Sequence, residues 1–226
     1  FVYWLNNQNQ IQNEFAKHVE NARIIKNGSS EASRGYVDFI NIIKQKLSRF
    51  LYEHQLKAAY HMAFSLNSCN FSVPGAGKTT IVYAAYAYLK ANQKVNKMLI
   101  IGPVSASIAW KKEFFECFNL EPNITNLTNI KNVEKIDYFE KYHELQSEIT
   151  FINYEALSGI KKSINVFLEK NNVMVVLDEA HKIKNPNAKR SISIMKFAEK
   201  AKSRIILTGT PIPNGYVDLY NLFEFI

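Results

Sequence analysis

The chain has 226 residues, 47% hydrophobic and 13% aromatic, which is enough apolar material for a substantial core and excludes a mainly disordered protein. No uninterrupted apolar stretch approaches the ~20 residues of a membrane-spanning helix, and residues 1–10 lack the basic start and apolar block of a secretory signal. With 28 basic against 20 acidic residues the net charge is +8, a mild bias toward polyanionic partners.

Residues 1–50 read as an N-terminal helical extension. Phe15, Val19 and Ala22, then Phe39, Ile40, Ile43 and Leu47, recur at helical spacing, and Gly28-Ser29-Ser30 separates the two segments. From residue 51 onward the pattern changes to short apolar runs alternating with longer helical segments, the signature of βαβ units and a mostly parallel sheet. The runs at 71–73, 98–101, 173–177 and 205–207 are nearly continuous in apolar character, as central parallel strands are. Weaker strands are expected at 151–153 and, within an Asn-rich connection, at 124–127. Each of the four main runs ends in small or polar residues, and ligands of open α/β sheets bind beyond the carboxyl ends of the strands. The chain starts with Phe and stops inside an apolar helical pattern at 216–226, so it is expected to be part of a longer protein.

The run Ser72-Val73-Pro74-Gly75-Ala76-Gly77-Lys78-Thr79 fits the phosphate-loop pattern G-x-x-x-x-G-K-S/T, with Ser72 at the first Gly. A short strand is expected before it and a buried helix after it. Backbone N–H groups of Gly75, Ala76, Gly77, Lys78, Thr79 and Thr80 at that helix start would cradle phosphates, with Lys78 reaching the terminal phosphates and the Thr79 hydroxyl on Mg²⁺. Farther on, Val173 to Leu177 run into Asp178-Glu179-Ala180-His181. Asp178 is suited to the Mg²⁺ shell and Glu179 to orienting a water against a γ-phosphate, which makes ATP and Mg²⁺ the expected cofactors. Taken separately, the loop is also an ordinary turn and the acidic pair a helix cap; together they complement each other.

Cys69 and Cys117 have no metal-ligand spacing and are expected to be small buried hydrophobes in a reducing, cytoplasmic setting.

Carried by these residues, the sequence resembles superfamily-two helicase ATPases, and more narrowly the Swi/Snf family of double-stranded-DNA translocases, from about residue 51 to the end. Leu51-Tyr52-Glu53-His54-Gln55 resembles the family's opening element, in which Gln55 would contact adenine. Gly102-Pro103 with Trp110, Glu113 and Phe114 resembles motif Ia and the helix after it, and Asn153-Tyr154-Glu155 resembles motif Ib. The stretch from Asp178 to Pro186, with its Lys-Asn-Pro tail and following Lys189-Arg190, is the most family-specific part. Leu207-Thr208-Gly209-Thr210-Pro211-Ile212-Pro213-Asn214 resembles motif III, with Pro213 where eukaryotic members usually have Gln, which favours a prokaryotic or viral source.

The resemblance implies an α/β fold of the RecA-like P-loop NTPase type, a three-layer αβα arrangement over residues 51–226. It implies double-stranded DNA, contacted through its backbone and not its sequence, with no membrane. A second RecA-like lobe of the same full-length chain would supply the arginine fingers. Pro103, Ser105, Ser107, Asn153 and Tyr154 would face nucleic acid, although the serines are equally suited to capping the helix that starts near Ser105. His181, Thr208 and Thr210 would couple the nucleotide site to the DNA path. Two other readings stay open: a strand-separating DNA or RNA helicase of the same superfamily, and a nucleotide-binding interaction module without turnover.

Overall fold

A computed structural model describes residues 34–140, 146–212 and 215–226. Most of the expected N-terminal extension (1–33), with Phe15, Val19 and Ala22, lies outside the described residues, as do Pro213 and Asn214. The first described helix, α1 (Arg34–Lys46), buries Phe39 and Ile43 together with Leu47 just beyond it, as their spacing predicts. It packs into the same apolar cluster as α2 (Glu53–Ser65) and α3 (Lys78–Ala91).

Six strands follow in chain order: β1 (Asn67–Asn70), β2 (Lys97–Gly102), β3 (Ile124–Asn126), β4 (Ile149–Asn153), β5 (Val173–Asp178) and β6 (Ser203–Leu207). They form one sheet in the order β1-β6-β5-β2-β4-β3, and every pairing is parallel. Between and after them lie α4 (Ala106–Phe118), α5 (Asn132–Glu140), α6 (Leu157–Lys170), α7 (Lys189–Ala198) and α8 (Val217–Phe225). Parallel strands need crossover connections, and these helices supply them on both faces. One apolar cluster gathers residues of α1 to α4 with Met98, Ile100, Met174 and Val176, and the other gathers residues of α5 to α8 with Leu99, Ile101, Val175 and Leu177. The period-2 alternation of side chains along β2 and β5 thus divides the core into two halves, one on each face.

Two sequence expectations are corrected. The first strand is the polar Asn67–Asn70, not the apolar run at 71–73, and it lies at the sheet edge. Its pairing with β6 matches Asn67 to Arg204 through Asn70 to Leu207. The strand then ends because Asn70 Oδ1 accepts the Ser72 N–H at 3.1 Å and the Ser72 hydroxyl at 2.5 Å, a side-chain turn that pulls the chain off the ladder. Of the two cysteines Cys117 is buried, but Cys69, on that edge strand, is only half-buried.

Candidate active site

Strand register assembles the site. Asn70 pairs with Leu207 and Leu207 with Asp178, while Leu177 pairs with Ile101, so the carboxyl ends of β1, β6, β5 and β2 arrive almost level. The residues just past those ends are Ser72 to Thr79, Thr208, Glu179 and Pro103. The phosphate-loop motif, the acidic box and the Thr-Gly-Thr element therefore share one edge, as the pattern of strand ends predicts.

The loop turns tightly into α3. Gly75 and Gly77 have φ of +84° and +80°, a region open to glycine at little cost. A Cβ on Gly75 would meet nothing within 4 Å, so the loop is open to a ligand there. Lys78 Nζ donates to the carbonyls of Ser72 at 2.9 Å and Val73 at 3.3 Å. Gly209 closes over the loop: a Cβ there would stand 3.2 Å from Pro74 Cδ and 3.9 Å from Lys78 Nζ.

Gln55, near the start of α2, is buried against the loop. Its Nε2 donates to the Ala76 carbonyl at 3.3 Å and its Oε1 accepts the Tyr52 N–H at 3.1 Å. Each end of the amide retains one further hydrogen-bonding capacity. Thr79 is half-buried at the helix start, whereas Thr80 is buried and its hydroxyl donates to Glu113 of α4. The Thr80 side chain is thus turned into the core, which leaves its backbone N–H as the group expected to face phosphate. Glu113 also takes Arg49 at 2.7 Å.

Asp178 ends β5. Its Oδ1 accepts the Glu179 N–H at 3.0 Å and its Oδ2 accepts the Trp110 indole N–H at 2.9 Å. Burial pushes the Asp178 carboxyl above its ordinary range, opposed by the Trp110 hydrogen bond; the Glu179 charge adds to the rise and Lys78 works against it. Gly102 makes room for this group, because a Cβ there would lie 3.2 Å from Asp178 Cβ and 3.1 Å from Phe151. Glu179 holds φ 51°, ψ 51°, a left-handed conformation that is costly for a side chain of this kind and concentrates at working sites. Its Oε2 lies 3.3 Å from His181 Nδ1, which in turn lies 3.4 Å from the Thr208 hydroxyl at the outer edge of hydrogen-bond range. The same hydroxyl oxygen accepts the Thr210 N–H at 3.2 Å. His181, Thr208 and Thr210 thus form a polar line away from the acidic pair.

The residues expected to face nucleic acid divide. Ser105 is exposed and makes no side-chain cap on α4, and Pro103 and Asn153 are half-buried. Ser107 is buried and donates to the Val104 carbonyl at 2.9 Å, a turn contact. Tyr154 is 1% exposed and donates its hydroxyl proton to the Asp178 carbonyl at 2.8 Å, so its side chain braces the acidic box from inside the core. Both are corrections to an exposed, nucleic-acid-facing placement.

The sequence singles out Trp110 and Tyr154 through the motifs they resemble, but not their hydrogen bonds to Asp178. The available signal was chemical: a buried indole N–H or phenol needs an acceptor, and both residues sit close to strand ends rich in acceptors.

The model of the SNF2-related domain matches residues 70–226. The chain belongs to the SNF2 family. It is 30% identical over 155 residues to the ATP-dependent helicase FUN30 of Saccharomyces cerevisiae, covering 67% of this chain and 13% of the relative. It is 32% identical over 158 residues to an uncharacterized ATP-dependent helicase of Mycoplasma pneumoniae, covering 67% of this chain and 14% of that protein. Among solved structures it is similar to the Sulfolobus solfataricus SWI2/SNF2 ATPase core in complex with dsDNA, with a TM-score of 0.62, 26% identity, 80% of this chain and 36% of that one covered. The fold of this SNF2 chain is accordingly the RecA-like α/β type. It spans 13–14% of the length of these two curated relatives.

Proposed function

We propose that this SNF2 chain is the ATP-binding lobe of an ATP-driven double-stranded-DNA translocase, with Mg²⁺ as its metal. A second RecA-like lobe of the full-length protein would complete the catalytic centre. The observation that carries this reading is the convergence of Lys78, Asp178, Glu179 and Thr208 at the carboxyl edge of one parallel sheet.

The residues fit a magnesium nucleotide. The loop is open above Gly75, the amine of Lys78 stands at its base, and Thr79 and Asp178 offer hard oxygen donors. Among the described residues no three His, Cys, Asp or Glu side chains gather into a metal cage. That suits a cation which takes only one or two protein ligands and completes its shell with phosphate and water. Mg²⁺ held by Thr79 and Asp178 would neutralise charge on the transferred phosphate. Lys78 would exchange its two carbonyl partners for phosphate oxygens, and the N–H groups at the start of α3 would bind the phosphates along the helix dipole. Gln55 would hold the loop through Ala76 while its remaining amide capacity meets adenine.

Glu179 would accept the proton of the attacking water at its carboxylate. The line from Glu179 through His181 to Thr208 and Thr210 would pass the state of the nucleotide to the DNA side. There the exposed Ser105 and the half-buried Asn153 would donate to phosphates without reading sequence, while Pro103, which has no N–H, would shape the turn that presents them. The duplex named for the Sulfolobus structure supports DNA as the track.

Phosphate release by the full-length protein tests this reading. Duplex DNA is expected to stimulate it more than single strands do, with a steep loss on adding salt. Glu179→Gln is expected to abolish turnover and leave ATP bound. Stimulation by single strands alone would favour a strand-separating helicase, and turnover insensitive to Glu179→Gln would overturn the proposed catalytic role.

A further inference from the structure

Asp178 is held by three donors from three different parts of the chain. The Trp110 indole reaches Oδ2 at 2.9 Å, the Glu179 N–H reaches Oδ1 at 3.0 Å, and the Tyr154 hydroxyl reaches the main-chain carbonyl at 2.8 Å. A carboxylate has about four acceptor positions, so both oxygens keep capacity for a further partner after these bonds. What the two bonds to the carboxylate remove is rotation, because the terminal torsion of an Asp side chain is otherwise soft, while the Tyr154 bond fixes the main chain beneath it.

Trp110 is itself fixed. It is 1% exposed, its ring meets Tyr83 edge-on at 5.4 Å and 81°, and the Tyr83 hydroxyl donates to the Trp110 carbonyl at 2.8 Å. Tyr83 belongs to α3, the helix that opens with Lys78 and Thr79. The Asp178 carboxylate therefore takes its orientation from the phosphate-loop helix, through an indole 68 residues away in sequence.

We propose that Trp110 is a positioning residue that holds the Asp178 carboxylate in the orientation in which it takes up a divalent cation beside a bound nucleotide. This rests on the assignment of Asp178 to the Mg²⁺ shell made above. Hydrogen bonds of this kind, behind a metal-binding group, change metal affinity by about 10–100-fold when removed. An indole that merely needed a buried acceptor would affect stability without selecting for metal.

The test measures Mn²⁺ affinity by electron paramagnetic resonance, using the whole chain with saturating ADP, and ADP affinity separately in EDTA. Trp110→Phe keeps a ring against Tyr83 and removes the N–H. It is expected to weaken Mn²⁺ binding about tenfold or more while leaving ADP affinity in EDTA unchanged. Replacing Trp110 with β-(3-benzothienyl)alanine, which has the indole shape without its N–H, should give the same loss and carries the test if the Phe variant does not fold. Unchanged Mn²⁺ affinity in either folded variant overturns the proposal. So does an equal loss of ADP affinity in EDTA, which would mean that Trp110 shapes the nucleotide site itself. Asp178→Asn is the control: if it leaves ADP-dependent Mn²⁺ binding intact, the assignment of Asp178 fails and takes the role of Trp110 with it.

Discussion

Gln55 Nε2 occupies the space into which a Cβ on Gly77 would project, while donating to the neighbouring Ala76 carbonyl at 3.3 Å. The loop is closed against α2 by that contact, and Gly77 also needs its φ of +80°. Gly77→Ala is expected to destabilise the protein by about 1–3 kcal/mol, from backbone strain and the clash together. Adding Gln55→Ala should relieve the clash and leave the strain, so a double-mutant cycle in urea should show coupling between the two positions.

Lys78→Ala is expected to weaken Mg²⁺·ADP binding by about 2–3 kcal/mol, the scale of a lost charge-assisted phosphate contact. Titration calorimetry measures it directly. Unchanged affinity would remove Lys78 from the phosphate site.

Tyr154→Phe deletes a hydroxyl that touches the Asp178 carbonyl inside the core. A loss of about 1–3 kcal/mol in unfolding free energy is expected, because the buried carbonyl is left without that donor. DNA affinity measured by fluorescence anisotropy should not change in the folded variant, since the side chain has no surface to offer.

Burial pushes the Cys117 thiol from an ordinary value of 9.0 up to about 12, with the Glu113 charge acting in the same direction. The folded state thus favours the protonated thiol. Its contribution to stability is full below pH 9 and is lost as pH rises through about 12. At pH 8 Cys117 should resist iodoacetamide in the native protein and react once urea unfolds it, as peptide mass mapping would show.

On the proposed reading this chain alone turns ATP over slowly, and duplex DNA does not accelerate it. An arginine supplied from outside the site is worth roughly 10³–10⁵ in rate in phosphoryl transfer. Brisk, DNA-stimulated hydrolysis by the 226-residue chain, sensitive to Glu179→Gln, would refute the two-lobe mechanism.

The parts of the fold legible in the sequence were those set by local pattern. The apolar runs at 98–101 and 173–177 lie within Lys97–Gly102 and Val173–Asp178, and the run at 205–207 ends where Ser203–Leu207 ends. The loop around Lys78 and the acidic pair read directly because their chemistry needs contiguous residues. The edge strand Asn67–Asn70 did not, since its pairing with Arg204 to Leu207 needs backbone groups and little apolar side chain. Nor did the partners of Asp178: Trp110 and Tyr154 stand 68 and 24 residues from it, and their spacing in sequence carries no trace of a shared hydrogen-bond acceptor. The phosphate-loop pattern implies backbone contacts at Thr80 and is silent on where its hydroxyl turns, which the structure shows to be toward Glu113.

The alternation of β2 between two apolar clusters makes Ile100 and Ile101 chain neighbours that live in different rooms. Ile100 packs with the helices that carry Lys78 and Trp110, and Ile101 with α5 to α8 on the opposite face. A cavity cut at one opens on the opposite face of the sheet from a cavity cut at the other. The packing behind the phosphate loop and the packing on the opposite face can therefore be retuned separately, one methyl group at a time, although both are written on the same six-residue strand.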